Sequence, residues 1–213
     1  MPLVVDRYVL GPTQTNCYVV RAARGAREAV VIDPGTDAAQ LRLELARMGS
    51  TCAAILVTHT HYDHIGGVAD LADATGAPVY VPRGEAEVLA HADAVYRAYG
   101  IAIRPWSETI LVDGDDELSL GGIAFQTVGV PGHSPDHVAY YAEGELFSGD
   151  VLFAGGVGRV DLPGGDWETL LASIRTLADR FPPDTVVRSG HGPATTLAAE
   201  LARNPFLAEL RAS

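Results

Sequence analysis

The chain has 213 residues, of which 47% are hydrophobic, and a formal net charge of -12, which is apolar material enough for one large core or two small ones. Acidity of that size, with a pI near 4.8, speaks against nucleic acid or an anionic membrane surface as the partner. The opening residues Met1-Pro2-Leu3-Val4-Val5-Asp6-Arg7 read as neither a signal nor a transit peptide, and no apolar run reaches membrane-spanning length, so a cytoplasmic location is expected.

Leu3 to Leu10, Asn16 to Arg21 and Ala29 to Ile32 read as strands, separated by Gly11-Pro12 and by the charged turn Arg24-Gly25-Ala26-Arg27. Cys17 and Cys52 lie in strand-like apolar stretches without a CxxC pair, which predicts buried free thiols. Beyond Asp33-Pro34-Gly35, a helix capped by Asp37 carries an apolar face that includes Leu41, Leu43, Leu45 and Met48. Ala53 to Val57 reads as a buried strand leading into Thr58-His59-Thr60-His61-Tyr62-Asp63-His64, and Ile65-Gly66-Gly67 opens a helix to about Thr75. A strand at Pro78 to Val81 precedes a helical stretch from Gly84 to Tyr99; Arg83 to Pro105 reads as either a lid or a surface helix. Four strands then follow closely: Glu117 to Leu120, Ile123 to Val130, Val138 to Tyr141 and Glu145 to Phe147. A helix from Asp166 to Arg180, a strand from Thr185 to Arg188 and a helix from Thr196 to Arg203 complete the series. Strand groups with helices entering between them predict a layered sandwich with helices outside, as one domain over residues 1–213.

Three of the 7 histidines and an aspartate fall in the single loop Thr58 to His64. Burying that many polar groups together without partners is costly, and imidazole with carboxylate is a donor set for divalent metal. In extended backbone alternate side chains share a side, which sends His59, His61 and Asp63 one way and His64 elsewhere, so one loop could feed two neighbouring ions. Three later sites repeat the arrangement of apolar strand, glycine and metal-competent residue: Pro131-Gly132-His133, Ser148-Gly149-Asp150 and Ser189-Gly190-His191-Gly192. If their strands are aligned, these loops converge on one edge, where glycine lets backbones approach closely. Taken singly, His133 or His191 is as readily structural as functional, and Asp150 an ordinary turn acid; their joint recurrence after strands points to ligands. Asp33 suits a turn or an acceptor for a ligand histidine, His91 a solvated helix position, and His137 a structural role.

Taken in order, these motifs resemble the metallo-β-lactamase-fold hydrolases, most closely their short glyoxalase II-like (hydroxyacylglutathione hydrolase-like) branch. The likeness runs from Gly11-Pro12 and Asn16-Cys17-Tyr18 through Val31-Ile32-Asp33-Pro34-Gly35, the Thr58 to Gly67 loop and Pro131-Gly132-His133-Ser134-Pro135. It continues through Ser148-Gly149-Asp150, the stretch from Leu152 to Asp166, and Gly190-His191-Gly192-Pro193. The resemblance implies an α/β fold, a four-layer αββα sandwich, around two divalent metal ions. His59, His61 and His133 would hold one ion, Asp63, His64 and His191 the other, and Asp150 would bridge them, with Asp63 and Asp150 the acids of the catalytic centre. Zinc is the expected metal, although an all-nitrogen-and-oxygen set also accepts iron or manganese.

The activity so implied is hydrolysis of a small-molecule acyl-thiol substrate, of the S-lactoyl-thiol type, by a hydroxide shared between the two ions. A thiolate leaves with little need of protonation. Asp150 speaks against a β-lactamase, because many of those carry cysteine or another non-bridging residue at that place. Arg159 lies in a loop where glyoxalase II enzymes keep a basic residue for glutathione; it either binds the thiol's carboxylate or pairs with Asp161. Two departures bear on the substrate: the chain stops soon after Asn204-Pro205-Phe206, short of the helical region with which longer relatives grip glutathione, and Asp136 stands where relatives often have glycine. A mononuclear-iron persulfide dioxygenase of the same fold, with two histidines and an aspartate on its iron, is the alternative. A non-catalytic scaffold or nucleic-acid-processing module is disfavoured by the acidic balance.

Overall fold

Along Thr15–Arg21, Cys17 and Val19 project to one side and Tyr18 and Val20 to the other, and all four are at most 3% exposed. A strand buried on both faces needs cover on both. The computed structural model describes residues 2–212; Met1 and Ser213 of the expected 1–213 domain lie outside the described residues. The first sheet runs in the order β1 (Val4–Leu10), β2 (Thr15–Arg21), β3 (Glu28–Ile32), β4 (Thr51–Leu56), β5 (Val79–Pro82) and β6 (Thr109–Val112). Its first three strands are antiparallel, and β3 to β6 pair in parallel.

The second sheet contains β7 (Glu117–Leu120), β8 (Ile123–Gly129), β9 (Val138–Ala142), β10 (Glu145–Gly149), β13 (Val186–Ser189) and β14 (Thr195–Thr196), with spatial order β14-β13-β10-β9-β8-β7. A separate hairpin is formed by β11 (Leu152–Phe153) and β12 (Gly156–Val157). Tyr18, Val20, Val30, Ile32, Ala54 and Leu56 of the first sheet meet Ile123, Phe125, Val138, Tyr140, Ala142 and Phe147 of the second in one shared interior. The opposite face of the first sheet packs on α1 (Ala38–Met48), α3 (Val68–Thr75), α4 (Ala86–Ala90) and α5 (Ala92–Arg97). That of the second packs on α6 (Trp167–Arg180) and α7 (Leu197–Arg203). The layer order is the expected αββα. Cys17 and Cys52 are free and buried, and burial pushes both thiols up, Cys52 to about 12.

Several expectations need correction. The helix expected from Ile65 is two, α2 (Tyr62–Ile65) and α3, because Gly66-Gly67 lies against the Asp33–Thr36 turn: Gly67 N–H donates to Gly35 O, and a Cβ on Gly66 would sit 2.9 Å from Thr36 Cγ2. Leu43 is 65% exposed, so the apolar face of α1 rests on Leu41, Leu45 and Met48. The stretch from Arg83 to Pro105 is part of the packed helical layer, with Leu89, Ala92, Tyr96 and Ile103 buried in the first sheet's core. Strand β6 was not expected; four residues on a sheet edge, with Ile110 and Leu111 facing solvent, offer little period-two signal. The hairpin β11–β12, strand β14 and α8 (Ala208–Ala212) were also unforeseen. Among the described residues, no helix is long and apolar enough to cross a membrane.

Candidate metal centre

Strands β3 and β4 run parallel in one sheet, and β8, β10 and β13 point the same way in the other. Their C-terminal ends carry Asp33, the Thr58–His64 loop, His133, Asp150 and His191, and the two sheets bring these ends to one edge. His59 Nε2 lies 3.0 Å from His61 Nδ1, which lies 2.8 Å from His133 Nε2. His191 Nε2 lies 3.3 Å from Asp63 Oδ2 and 3.4 Å from Asp150 Oδ2. His64 Nε2 lies 3.9 Å from Asp63 Oδ2 and 3.4 Å from Asp150 Oδ1, and Asp150 Oδ2 lies 3.6 Å from His133 Nε2. Asp150 thus faces both groups, and all seven residues expected from the motifs are gathered.

The tautomers follow from the partners. Thr58 Oγ1 donates to Asp33 Oδ2 at 2.7 Å, so it accepts from His59 Nδ1–H at 3.0 Å. His64 Nδ1–H donates to Asp33 Oδ2 at 2.9 Å, and His133 Nδ1–H to the Arg159 carbonyl at 2.8 Å. His59 and His133 are left with an Nε2 lone pair aimed at the cluster, and His64 presents one there once its second proton is displaced. Lone pairs converging on one point repel unless a cation lies between them. Ligands at zinc's 2.0–2.1 Å in a tetrahedral shell stand about 3.3 Å apart, the same order as the separations here. His64 Nε2 and Asp150 Oδ1 are buried without a hydrogen-bond partner, as unmatched donor atoms of a metal site would be. The residues fit divalent cations.

Electrostatics divides the cluster in two. Burial, reinforced by neighbouring imidazoles, holds His59 well below its ordinary range and His61 down to about 4, and burial also lowers His133; these three are neutral donors. Burial works against charge at His64 and His191 as well, but the carboxylates outweigh it. Asp150 and Asp33 raise His64, and Asp150 and Asp63 raise His191 to about 9. Burial likewise opposes ionisation of Asp63 and Asp150, yet the charge on His64 and a hydrogen bond from His191 hold both below the usual carboxylate range.

Asp33 is the acceptor expected of it, and also takes the Thr58 N–H at 2.8 Å. His91 is exposed beside Glu87, as expected. His137 stays outside the ligand groups, stacked on His59 at 4.7 Å with its Nε2 accepting the Asp150 N–H at 3.2 Å. Arg159 pairs in two hydrogen bonds with Asp161, at 2.6 and 2.7 Å. The Asp136 carboxylate accepts from Gly84 N–H, so it is turned toward the Arg83–Glu85 turn. Sequence reading missed the supporting residues. Thr15 donates to Asp63 Oδ2 at 2.7 Å, Asn16 and Tyr18 donate to the Ser189 carbonyl at 2.8 and 2.7 Å, and Glu85 receives Thr60 and Ser134. A spacing rule finds ligands but not the polar groups that hold them.

An αββα sandwich that gathers imidazoles and carboxylates at one sheet edge defines a class of metal-dependent hydrolases. The chain belongs to the metallo-beta-lactamase superfamily, whose profile matches residues 10–191. Among its relatives, a probable metallo-hydrolase, YqgX of Bacillus subtilis, is 38% identical over 94% of this chain and 96% of its own length. Hydroxyacylglutathione hydrolase GloC of Haemophilus influenzae is 32% identical over 91% of this chain and 93% of its own. Two solved structures share 42% identity: BLEG-1 B3 metallo-beta-lactamase, with a TM-score of 0.89 over 96% of this chain and 100% of that one, and TTHA1623 in a di-iron-bound form, at 0.85 over 95% and 100%.

Proposed function

We propose that this chain hydrolyses the thioester of a small acyl thiol, of the S-lactoyl-thiol type. His59, His61 and His133 would hold one divalent cation, Asp63, His64 and His191 a second, and Asp150 both. The observation that carries the reading is Asp150: its oxygens lie 3.4 to 3.6 Å from His64, His191 and His133, so one carboxylate serves both groups. Such cations, zinc first and iron or manganese next, supply a Lewis acid for an acyl oxygen and make water a nucleophile near neutral pH. Of the chain's own residues, Asp33 and Thr58 fix His64 and His59, Thr15 turns the Asp63 carboxylate, and His137 fixes the Asp150 backbone. Asp63 and Asp150, held ionised, orient the attacking water by accepting its hydrogen bonds. A thiolate leaving group asks for no acid beside it, and the reading assigns none. The relative named hydroxyacylglutathione hydrolase, matched over nearly its whole length, supports a thioester.

The substrate's carboxylate, where it has one, would be taken by Arg159 opening from Asp161, since both side chains are more than 60% exposed. Steady-state hydrolysis of S-lactoylglutathione and other acyl thiols by metal-loaded enzyme tests the reading, with a β-lactam panel and a persulfide alongside. Turnover of at least one thioester with two metals per chain is expected. Inactivity on every thioester sinks it; β-lactam turnover alone would follow the BLEG-1 likeness, and one iron with sulfite formation would mean the dioxygenase.

A further inference from the structure

One buried carboxylate outside the cluster is held by both histidine-bearing loops of a single half. Glu85, 4% exposed, ends the 3-10 turn Arg83–Glu85 after β5. Its Oε2 accepts from Thr60 N–H at 3.2 Å and, in a short hydrogen bond, from the Thr60 hydroxyl, while its Oε1 accepts from the Ser134 hydroxyl at 2.5 Å. Thr60 stands between His59 and His61, and Ser134 follows His133. The Tyr96 hydroxyl donates to the Thr60 carbonyl at 2.5 Å, so Thr60 is gripped at its N–H, hydroxyl and carbonyl. Asp136, in the loop after His133, adds a further tie by accepting from Gly84 N–H. The residues of the other half are braced differently: Asp63 by Thr15, His64 by Asp33, and the loop of His191 by Asn16 and Tyr18.

We propose that Glu85 is a positioning residue that sets the spacing of His59, His61 and His133 and so the cation affinity of that half alone. The inference rests on reading those three histidines as one cation site. The two oxygens of a carboxylate are a fixed distance apart, so a side chain that binds Thr60 through one and Ser134 through the other is a rigid spacer between two loops. Truncation at Glu85 would leave the buried Thr60 N–H and Ser134 hydroxyl without acceptors and free the loops to drift. Glutamine keeps the spacer, since its carbonyl can accept both Thr60 donors while the Ser134 hydroxyl rotates to accept from the amide.

Zn²⁺ titration of the metal-stripped full chain, with ¹H–¹⁵N NMR of the histidine rings in the loaded protein, tests this. Glu85→Ala should bind one of two ions about 10–100-fold more weakly, the usual consequence of losing support behind a ligand. Ring signals of His59, His61 and His133 should change while those of His64 and His191 keep their wild-type positions, and Glu85→Gln should restore both readouts. Ser134→Ala, which removes one arm, should weaken the same ion by a smaller factor and carries the test if Glu85→Ala does not fold. Equal weakening of both ions, unchanged affinities, or failure of Glu85→Gln to restore them would overturn the role of Glu85. Fewer than two ions on the wild-type chain would instead overturn the two-cation reading beneath it.

Discussion

His191 and His61 have the same ring and lie in the same cluster, yet their environments move them in opposite directions. Burial and neighbouring rings hold His61 down to about 4, so it offers a lone pair at neutral pH; burial opposes charge at His191 too, but hydrogen bonds to Asp150 and Asp63 raise it to about 9. His64 is raised by Asp150 and Asp33 in the same manner. In the metal-free protein these two rings stand in for cations beside the acids, and a metal must displace their protons. Zinc binding at pH 7.5 should therefore release on the order of two protons per chain, the release falling away as pH rises past the His191 value of about 9. Calorimetric titration in buffers of differing ionisation enthalpy reads this directly, and no release at pH 7.5 would contradict it. The stability of the metal-free chain should follow the same groups. A pKa raised above the ordinary 6.5 gives His191 a contribution fully present below pH 6.5 and lost as pH climbs through about 9. The depressed carboxylates contribute above their ordinary 3.8 and lose that contribution as pH falls.

The loops that bear these residues are shaped by glycines that admit no side chain. A Cβ on Gly190 would lie 2.2 Å from Asp150 Oδ1 and 2.5 Å from His64 Cε1. Neither neighbour is free to retreat, because Asp150 N–H bonds His137, His64 Nδ1 bonds Asp33, and Gly190 itself is pinned to Gly149 and Asn16. Gly190→Ala should therefore weaken zinc binding at both ions through Asp150, and more at the half built on Asp63, His64 and His191, and destabilise by about 1–3 kcal/mol, the usual cost of overpacking. Gly156→Ala, whose Cβ would meet only Phe153 at an ordinary 3.7 Å, is the control. Equal zinc affinity and melting temperature in the two variants would refute the argument. This glycine-and-ligand grammar was legible in the sequence because it recurs after apolar strands with their own periodicity, which is how His133, Asp150 and His191 could be picked out beside the dense His59–His64 loop. Glu85 was not legible: a glutamate in a helical stretch reads as solvated, and it is buried only because Thr60 and Ser134, 25 and 49 residues away, converge on it. Strand β6 escaped for a related reason, since a short edge strand takes its identity from pairing with β5 and carries no pattern of its own.

The proposed centre divides its ligands between the two sheets: His59, His61, Asp63 and His64 hang from the first, His133, Asp150 and His191 from the second. Below it the sheets meet through apolar contacts of Tyr18, Val20, Ile32 and Leu56 against Phe125, Val138, Tyr140 and Phe147, with hydrogen bonds from the Tyr18 hydroxyl to the Ser189 carbonyl and from the Tyr140 hydroxyl to the Val57 carbonyl. At the edge the first sheet's histidines and acids face those of the second, and two of their buried atoms, His64 Nε2 and Asp150 Oδ1, have no hydrogen-bond partner. Cations bound there would fasten the open end of the sandwich, and because the unfolded chain has no such cluster, their binding free energy adds to folding. At a free metal concentration a thousand times the dissociation constant the gain is about 4 kcal/mol, and in a chain of this length about 2–4 °C follows each kcal/mol. Stripping the metal with a chelator should thus lower the melting temperature by on the order of 10 °C, and stoichiometric zinc should restore it. Hydrogen exchange should show where: backbone amides of Thr58–His64 and of the His191 loop should lose protection on stripping, whereas those of β2, β3 and β9, deep between the layers, should keep it. A melting temperature indifferent to free zinc, or protection lost first from those inner strands, would mean that the edge is held by something other than the cluster described.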